Sequence, residues 1–237
     1  MAKLWCFGDS FTAGDGCKVF SIGVQPNTIK YREFLNKKDG EHIKLFGDIV
    51  AEHFGLECIN LGQSGAGNEK ILDELLSNIH LISKEDYVIF GVSYFQRFDI
   101  DGPNPTQFTT INVNSLLDNP MDDDMITDTL SRSGLMEIVL NRSSKKFEDR
   151  LLRQVAGITH ILKQLSKKVY VWTNDHYLDE QQTGLFKLVD GYHTLSHFFS
   201  ENDITSHTKG VVGDGHLSEI GHGVLANDII TYFENEK

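Results

Sequence analysis

The chain has 237 residues, 40% of them apolar and 24% charged, with a formal net charge of −12 at pH 7. At this length one α/β domain buries roughly 70–75% of the surface its unfolded chain exposes, so neither disulfides nor a structural metal is required. The acidic balance argues against nucleic acid as a partner, because a phosphate backbone is held by clustered cations and the densest basic stretches are Lys37-Lys38, Lys145-Lys146 and Lys167-Lys168.

In chain order, the apolar run Lys3 to Phe7, broken by Gly8, predicts a strand buried on both faces. Helical spacing follows over 41–54, where Ile43, Phe46, Ile49, Val50 and Phe54 share a stripe and Gly55 stands at the stop position. Glu57 to Leu61 predicts a second strand, and Gly62 to Gly67 a turn. Ile71, Leu72, Leu75, Leu76 and Ile79 recur at three-and-four spacing, the mark of a second helix. Tyr87 to Val92 predicts a third strand.

Residues 94 to about 145 break this rhythm, with three of the four prolines and the acidic triplet Asp122 to Asp124. The reading is an insertion, serving as a lid over a cleft or as a contact in a homo-oligomer, since long excursions in compact domains are seldom simple connections. Helical spacing returns with Phe147, Leu151, Val155, Ile158, Leu162 and Leu165, and Lys167-Lys168 suit the negative end of the helix. Val169 to Thr173 predicts strand four. The tail reads as irregular until Ser218-Glu219, which opens a closing helix carrying Ile220, Val224, Ile229, Ile230 and Phe233.

Strands that alternate with amphipathic helices predict an α/β fold, a three-layer α/β/α sandwich with a mostly parallel sheet, in one domain over 1–237. Ligands of such sheets bind outside the carboxyl ends of the strands, which places the chemistry after residues 7, 61, 92 and 173. Cys6, Cys17 and Cys58 are odd in number, far apart in sequence and without a C-x-x-C pair, and read as reduced thiols. Only four consecutive apolar residues, Leu4 to Phe7, precede the polar Gly8-Asp9-Ser10, too few for a secretory signal, and no stretch reaches the ~18 apolar residues of a membrane span. The expectation is a soluble, cytoplasmic protein.

Gly8-Asp9-Ser10-Phe11-Thr12-Ala13-Gly14 puts a serine at the carboxyl end of a buried strand, where a nucleophile would stand. A serine hydroxyl attacks a carbonyl only with a base to take its proton and donors to hold the oxyanion. The candidate base lies in Gly213-Asp214-Gly215-His216-Leu217, where Asp214 and His216, two apart in extended chain, point the same way. Asn60 to Asn68 is rich in glycines that let backbone N–H groups line a pocket.

These blocks resemble the SGNH or GDSL hydrolase superfamily, serine esterases and lipases on a flavodoxin-like sheet, and the resemblance spans the chain. It implies Ser10 as nucleophile, His216 as base, Asp214 as the acid that orients it, and the amides of Ser10 and Gly65 as oxyanion donors. The family's Asp-x-x-His is one residue shorter here. Its Gly-x-Asn-Asp aligns with Ser93-Tyr94-Phe95-Gln96, so Phe95 stands where an oxyanion asparagine is expected. Ser93, Asn68 and Gln96 are candidate replacements, Ser93 first because its hydroxyl can donate at a strand end. Arg97 is read as binding an acidic group of the substrate or bracing Asp99.

The resulting reading is a hydrolase of an oxygen ester, of which acetylated carbohydrate is the leading class by family analogy, and which needs no cofactor. The rival is a binding protein on the same sheet, its catalysis weakened by the missing asparagine and its cleft kept for a glycan or small ligand. The ten histidines show no spaced ligand motif. His193 and His197, four apart, could share a helix face but lack a third ligand, so no metal is expected. Tyr170 and Trp172 read as core, and His222 as part of the closing helix.

Overall fold

The structure, a computed structural model, describes residues 1–14, 44–93, 97–101, 108–112, 145–173, 192–194, 217 and 219–236. Its elements run β1 (Lys3–Phe7), α1 (Ser10–Ala13), α2 (Phe46–Phe54), β2 (Glu57–Asn60), α3 (Asn68–Asn78) with a 3-10 turn at Ile79–Leu81, β3 (Tyr87–Val92), β4 (Arg97–Asp101), β5 (Phe108–Asn112), α4 (Lys145–Leu165), β6 (Lys168–Thr173), β7 (Tyr192–Thr194) and α5 (Glu219–Asn235).

Five strands form one parallel sheet in the order β2-β1-β3-β6-β7. This is the flavodoxin-like order, in which the chain steps outward from β1 first to β2 and then, through β3, the other way. Side chains of β1 alternate between the faces, as the two-residue period requires. Trp5 and Phe7 pack with Val88, Phe90, Val169 and Val171 beneath α3 and α4, while Leu4 and Cys6 pack with Ile89, Tyr170 and Trp172 beneath α2 and α5. The three-layer α/β fold predicted from periodicity is therefore present.

Several boundaries differ. Residues 44–45 are not helical, and α2 starts at Phe46, because the Asp48 carboxylate at the third helical position accepts the Leu45 N–H at 3.0 Å and fixes the entry there. Strand β2 ends at Asn60, one residue early, since the Asn60 side chain turns the chain by accepting the Gly62 N–H at 2.9 Å. Helix α4 stops at Leu165, so Lys167 and Lys168 are not in its last turn. The Ser166 hydroxyl donates back to the Leu162 carbonyl at 2.7 Å, and the Lys167 N–H then bonds the Asp86 carbonyl at 2.7 Å, which starts the run into β6.

The tail before α5 is not wholly irregular, because Tyr192–Thr194 adds a fifth strand along β6. His193 lies in that strand, which removes the shared helix face with His197, a residue outside the described ones. Within the insertion, β4 and β5 pair as an antiparallel ribbon and β4 lies against α3. The acidic triplet and most of the rest of 94–145 fall outside the described residues. On α5, Ile220 is 61% exposed rather than core-facing, and the inward face is instead built from Leu225, Ala226, Ile229 and Phe233 with His222.

His222 is a core residue. Its ring stacks on Phe46 at 5.6 Å, and its Nδ1 accepts the Phe46 N–H at 3.2 Å, so α5 satisfies one of the orphan donors at the start of α2. Tyr170 of β6 donates to the Asp228 carboxylate of α5, and burial followed by that bond pushes the phenol pKa up, keeping it protonated. Cys6 and Cys58, distant in sequence, meet across β1 and β2. A hydrogen bond to Cys58 and then burial hold the Cys6 thiol well above its ordinary value, so it stays a thiol. Among the described residues no helix is long and apolar enough to cross a membrane.

At the amino end of the sheet, Asp86 is buried just before β3. Its carboxylate accepts the Lys3 N–H at 2.8 Å, the Ser83 N–H at 2.9 Å and the Trp5 indole N–H at 3.1 Å, which joins the start of β1 to the start of β3. Burial alone would raise its pKa, but these donors outweigh it and the pKa ends below the ordinary value. A lowered folded pKa means stability that is complete above the unfolded value, near ~3.9, and is lost as pH falls through the folded one. Replacing Asp86 by Ala removes the acceptor of three N–H donors, of which the Trp5 indole is buried, and should cost about 3 kcal/mol at pH 7, read from urea unfolding. The gap between wild type and Asp86→Asn should narrow as pH drops from about 5 toward 2, the side on which this carboxylate is protonated.

Candidate active site

The carboxyl ends of β1, β2 and β3 converge where the sheet order reverses, the position at which such sheets bind ligands. Ser10 stands there, 5% exposed, as the first residue of α1 directly after β1. Asp9 is the N-cap of that turn, with extended backbone and a side chain whose Oδ1 accepts the Phe11 N–H at 3.1 Å. An aspartate at that position satisfies a helix donor and favours the positive end of the turn.

The loop after β2 is laced to the loop after β1. Gln63 N–H donates to the Gly8 carbonyl at 3.0 Å, and Asn60 Nδ2 donates to the Thr12 carbonyl at 2.8 Å. The approach is close enough that a Cβ on Gly62 would sit 2.5 Å from the Ala13 nitrogen and 2.7 Å from the Thr12 carbonyl carbon, so only glycine fits. Gly65 has φ +76°, the left-handed region that an L side chain rarely adopts, and the turn it makes leads into α3.

Asn68, the first residue of α3, clamps the end of β3. Its Oδ1 accepts the Ser93 N–H at 2.8 Å and its Nδ2 donates to the Ser93 carbonyl at 2.8 Å, all of it buried. The Ser93 hydroxyl donates to Asp9 Oδ2 at 2.8 Å. Arg97, at the start of β4, reaches the same place: its Nη1 donates to Ser93 Oγ at 3.3 Å and lies 3.5 Å from Asp9 Oδ2. A polar chain thus runs from Arg97 through Ser93 to Asp9, and from Asp9 into the turn that carries Ser10.

Ser10, Gly65, Asn68, Ser93 and Arg97 are therefore brought to one end of the sheet, while Asp214 and His216 lie outside the described residues. Ser93 and Asn68 turn their side-chain donors on Asp9 and on the Ser93 carbonyl. Arg97 reaches Asp9 and Ser93, while the side chain of Asp99, the other anticipated partner, lies outside the described ones. The residue that sequence reasoning passed over is Asp9, read only as part of a tripeptide. The signal was there, because an aspartate immediately before a short helical turn is a capping pattern. Among the described residues no three His, Cys, Asp or Glu side chains group so as to hold a metal ion.

These features define an α/β protein of the parallel-sheet class with a serine at the switch point of its sheet. Neither a family model nor a curated protein matches the sequence. Among solved structures, the chain is similar to a carbohydrate esterase whose active site is described as displaying divergent catalytic and non-catalytic binding functions. That likeness has 18% identity, covers 100% of this chain and 65% of the other, and has a TM-score of 0.49. A second similarity is to a Corynascus thermopiles (Myceliophthora fergusii) carbohydrate esterase family 2 (CE2) enzyme with a carbohydrate-binding domain, at 13% identity, 98% and 65% coverage and a TM-score of 0.47. The chain spans about 65% of the length of each of these two.

The Asn68 clamp generates its own test. Asn68→Ala leaves the buried N–H and C=O of Ser93 without these partners, which should cost about 2–4 kcal/mol and lower Tm by roughly 5–15 °C. A melting temperature within about 2 °C of wild type would show that the end of β3 does not depend on this side chain.

Proposed function

We propose that the chain is a serine hydrolase that removes an acyl group from an oxygen ester through an acyl-Ser10 intermediate. The observation that carries this reading is the placement of Ser10, buried on a capped turn directly after β1 at the switch point of a parallel sheet. In the proposed scheme Ser10 Oγ attacks the ester carbonyl while His216 takes its proton. The N–H groups of Ser10 and Gly65 hold the oxyanion. Collapse breaks the carbon–oxygen bond, the alcohol leaves with the proton returned by His216, and water then attacks the acyl-serine with His216 again as base. Asp214 orients the imidazole and stabilises its cationic form.

Acetylated carbohydrate is the substrate class we favour, on the resemblance of the sequence blocks. The second reading, a glycan- or small-ligand-binding protein with weakened catalysis, is favoured by one observation. The proton of Ser93, the first replacement for the missing asparagine, is directed at Asp9. Loss of one oxyanion donor typically slows a reaction about 10²–10³-fold.

A fluorophosphonate separates the two readings, since the hydrolase is labelled at Ser10 and the binding protein is not. Ser10→Ala and His216→Ala should each lower hydrolysis of a short activated ester by about 10³-fold or more with the fold intact by circular dichroism, because nucleophile and base act as a unit. Asp214→Asn should cost less than His216→Ala. Wild-type-like turnover in purified Ser10→Ala would remove the mechanism.

A further inference from the structure

We infer that Arg97 is a positioning residue whose cation offsets the Asp9 carboxylate buried beside Ser10, so that an oxyanion can form there; this rests on the hydrolase reading above. Asp9 is needed where it is, because its Oδ1 caps the turn that presents Ser10. The same carboxylate, its side chain only 4% exposed, puts a negative charge one residue from the proposed nucleophile. A second negative charge developing on the attacked carbonyl is opposed by the first, and more strongly away from water than in it. Ordinary oxyanion chemistry on this turn therefore calls for a compensating cation.

Arg97 meets that requirement. Its Nη1 lies 3.5 Å from Asp9 Oδ2 and donates to Ser93 Oγ at 3.3 Å, and Ser93 in turn donates to Asp9 at 2.8 Å. The carboxylate is thus faced by a direct ion pair and by a hydroxyl that the same guanidinium polarises. The planar fork of arginine can address Asp9 and Ser93 together, whereas a lysine ammonium is a single, more strongly hydrated point charge. The cation comes from β4, the first strand of the insertion, so the insertion contributes to the site through electrostatics at its near end.

The test is a double-mutant cycle on the full chain with p-nitrophenyl acetate, an uncharged ester, together with the rate of fluorophosphonate labelling. Each variant is first checked by thermal melting. Arg97→Met should lower kcat about 10–100-fold with KM changed less than about 3-fold, the pattern of a transition-state effect. Adding Asp9→Asn should restore at least about 10-fold of that loss, because the amide can still cap α1 but carries no charge to offset. Arg97→Lys should fall between wild type and Arg97→Met.

A loss that Asp9→Asn does not recover, a change confined to KM, or turnover in Arg97→Met within about 2-fold of wild type would each overturn the inference. If Arg97→Met does not fold, the comparison of Asp9→Asn with Asp9→Asn/Arg97→Met decides. With the carboxylate gone, removal of the arginine should cost less than about 3-fold, and a larger cost overturns the charge argument. A wild-type protein that is neither labelled nor active removes the hydrolase reading and this inference with it, whereas a labelled wild type without rescue removes the inference alone.

Discussion

Two buried carboxylates fasten β1 to β3, one at each end of the sheet, and the architecture between them follows from that pairing. Asp86 collects the Lys3, Ser83 and Trp5 donors at the amino end, and Asp9 collects the Phe11 and Ser93 donors at the carboxyl end. A buried carboxylate is tolerated only when its oxygens are well supplied with donors. At the amino end the donors are two backbone amides and an indole, so the charge is held by groups that have no other task. At the carboxyl end they include a hydroxyl and a guanidinium from distant segments, brought together beside the turn that carries Ser10.

That difference sets the two ends of a single pair of strands apart. The amino end is closed by Lys167, whose N–H bonds the Asp86 carbonyl, and by Lys3, whose N–H bonds its side chain. The carboxyl end is open to loops, because the connections out of β1 and β3 leave in opposite directions and cannot cover the gap between them. The polar network there, Asn68 to Ser93 to Asp9, fills the gap with directional bonds where apolar packing would have closed it.

The sheet and its two helical layers were legible in the sequence because their signals are local. The alternation Trp5 and Phe7 against Leu4 and Cys6, and the stripes of α3 and α4, depend only on residues a few positions apart. Strand β7 was not legible, since three residues, Tyr192–Thr194, give no period to count and are strand only because β6 offers a free edge. The ribbon of β4 and β5 lacks a long apolar run for the same reason. The ends of α2 and α4 were misplaced because each is set by one side chain, Asp48 or Ser166, acting against the apolar periodicity.

At the carboxyl end of the sheet, motif reading singled out residues that lie in short blocks, Ser10 and Gly65, and could not reach bonds that join blocks. The Asn68–Ser93 clamp spans 25 residues and the Ser93–Asp9 bond 84. A hydroxyl has one proton to give, and its direction is fixed by the strongest acceptor within reach, which beside Ser93 is a carboxylate. An asparagine in a comparable place would bring two N–H donors, one of which could face a neighbouring acid while the other remained for a ligand. In the proposed hydrolase, the Ser93 proton is taken up by Asp9, so the holding of negative charge falls to backbone amides and to the balance of fixed charge around Asp9.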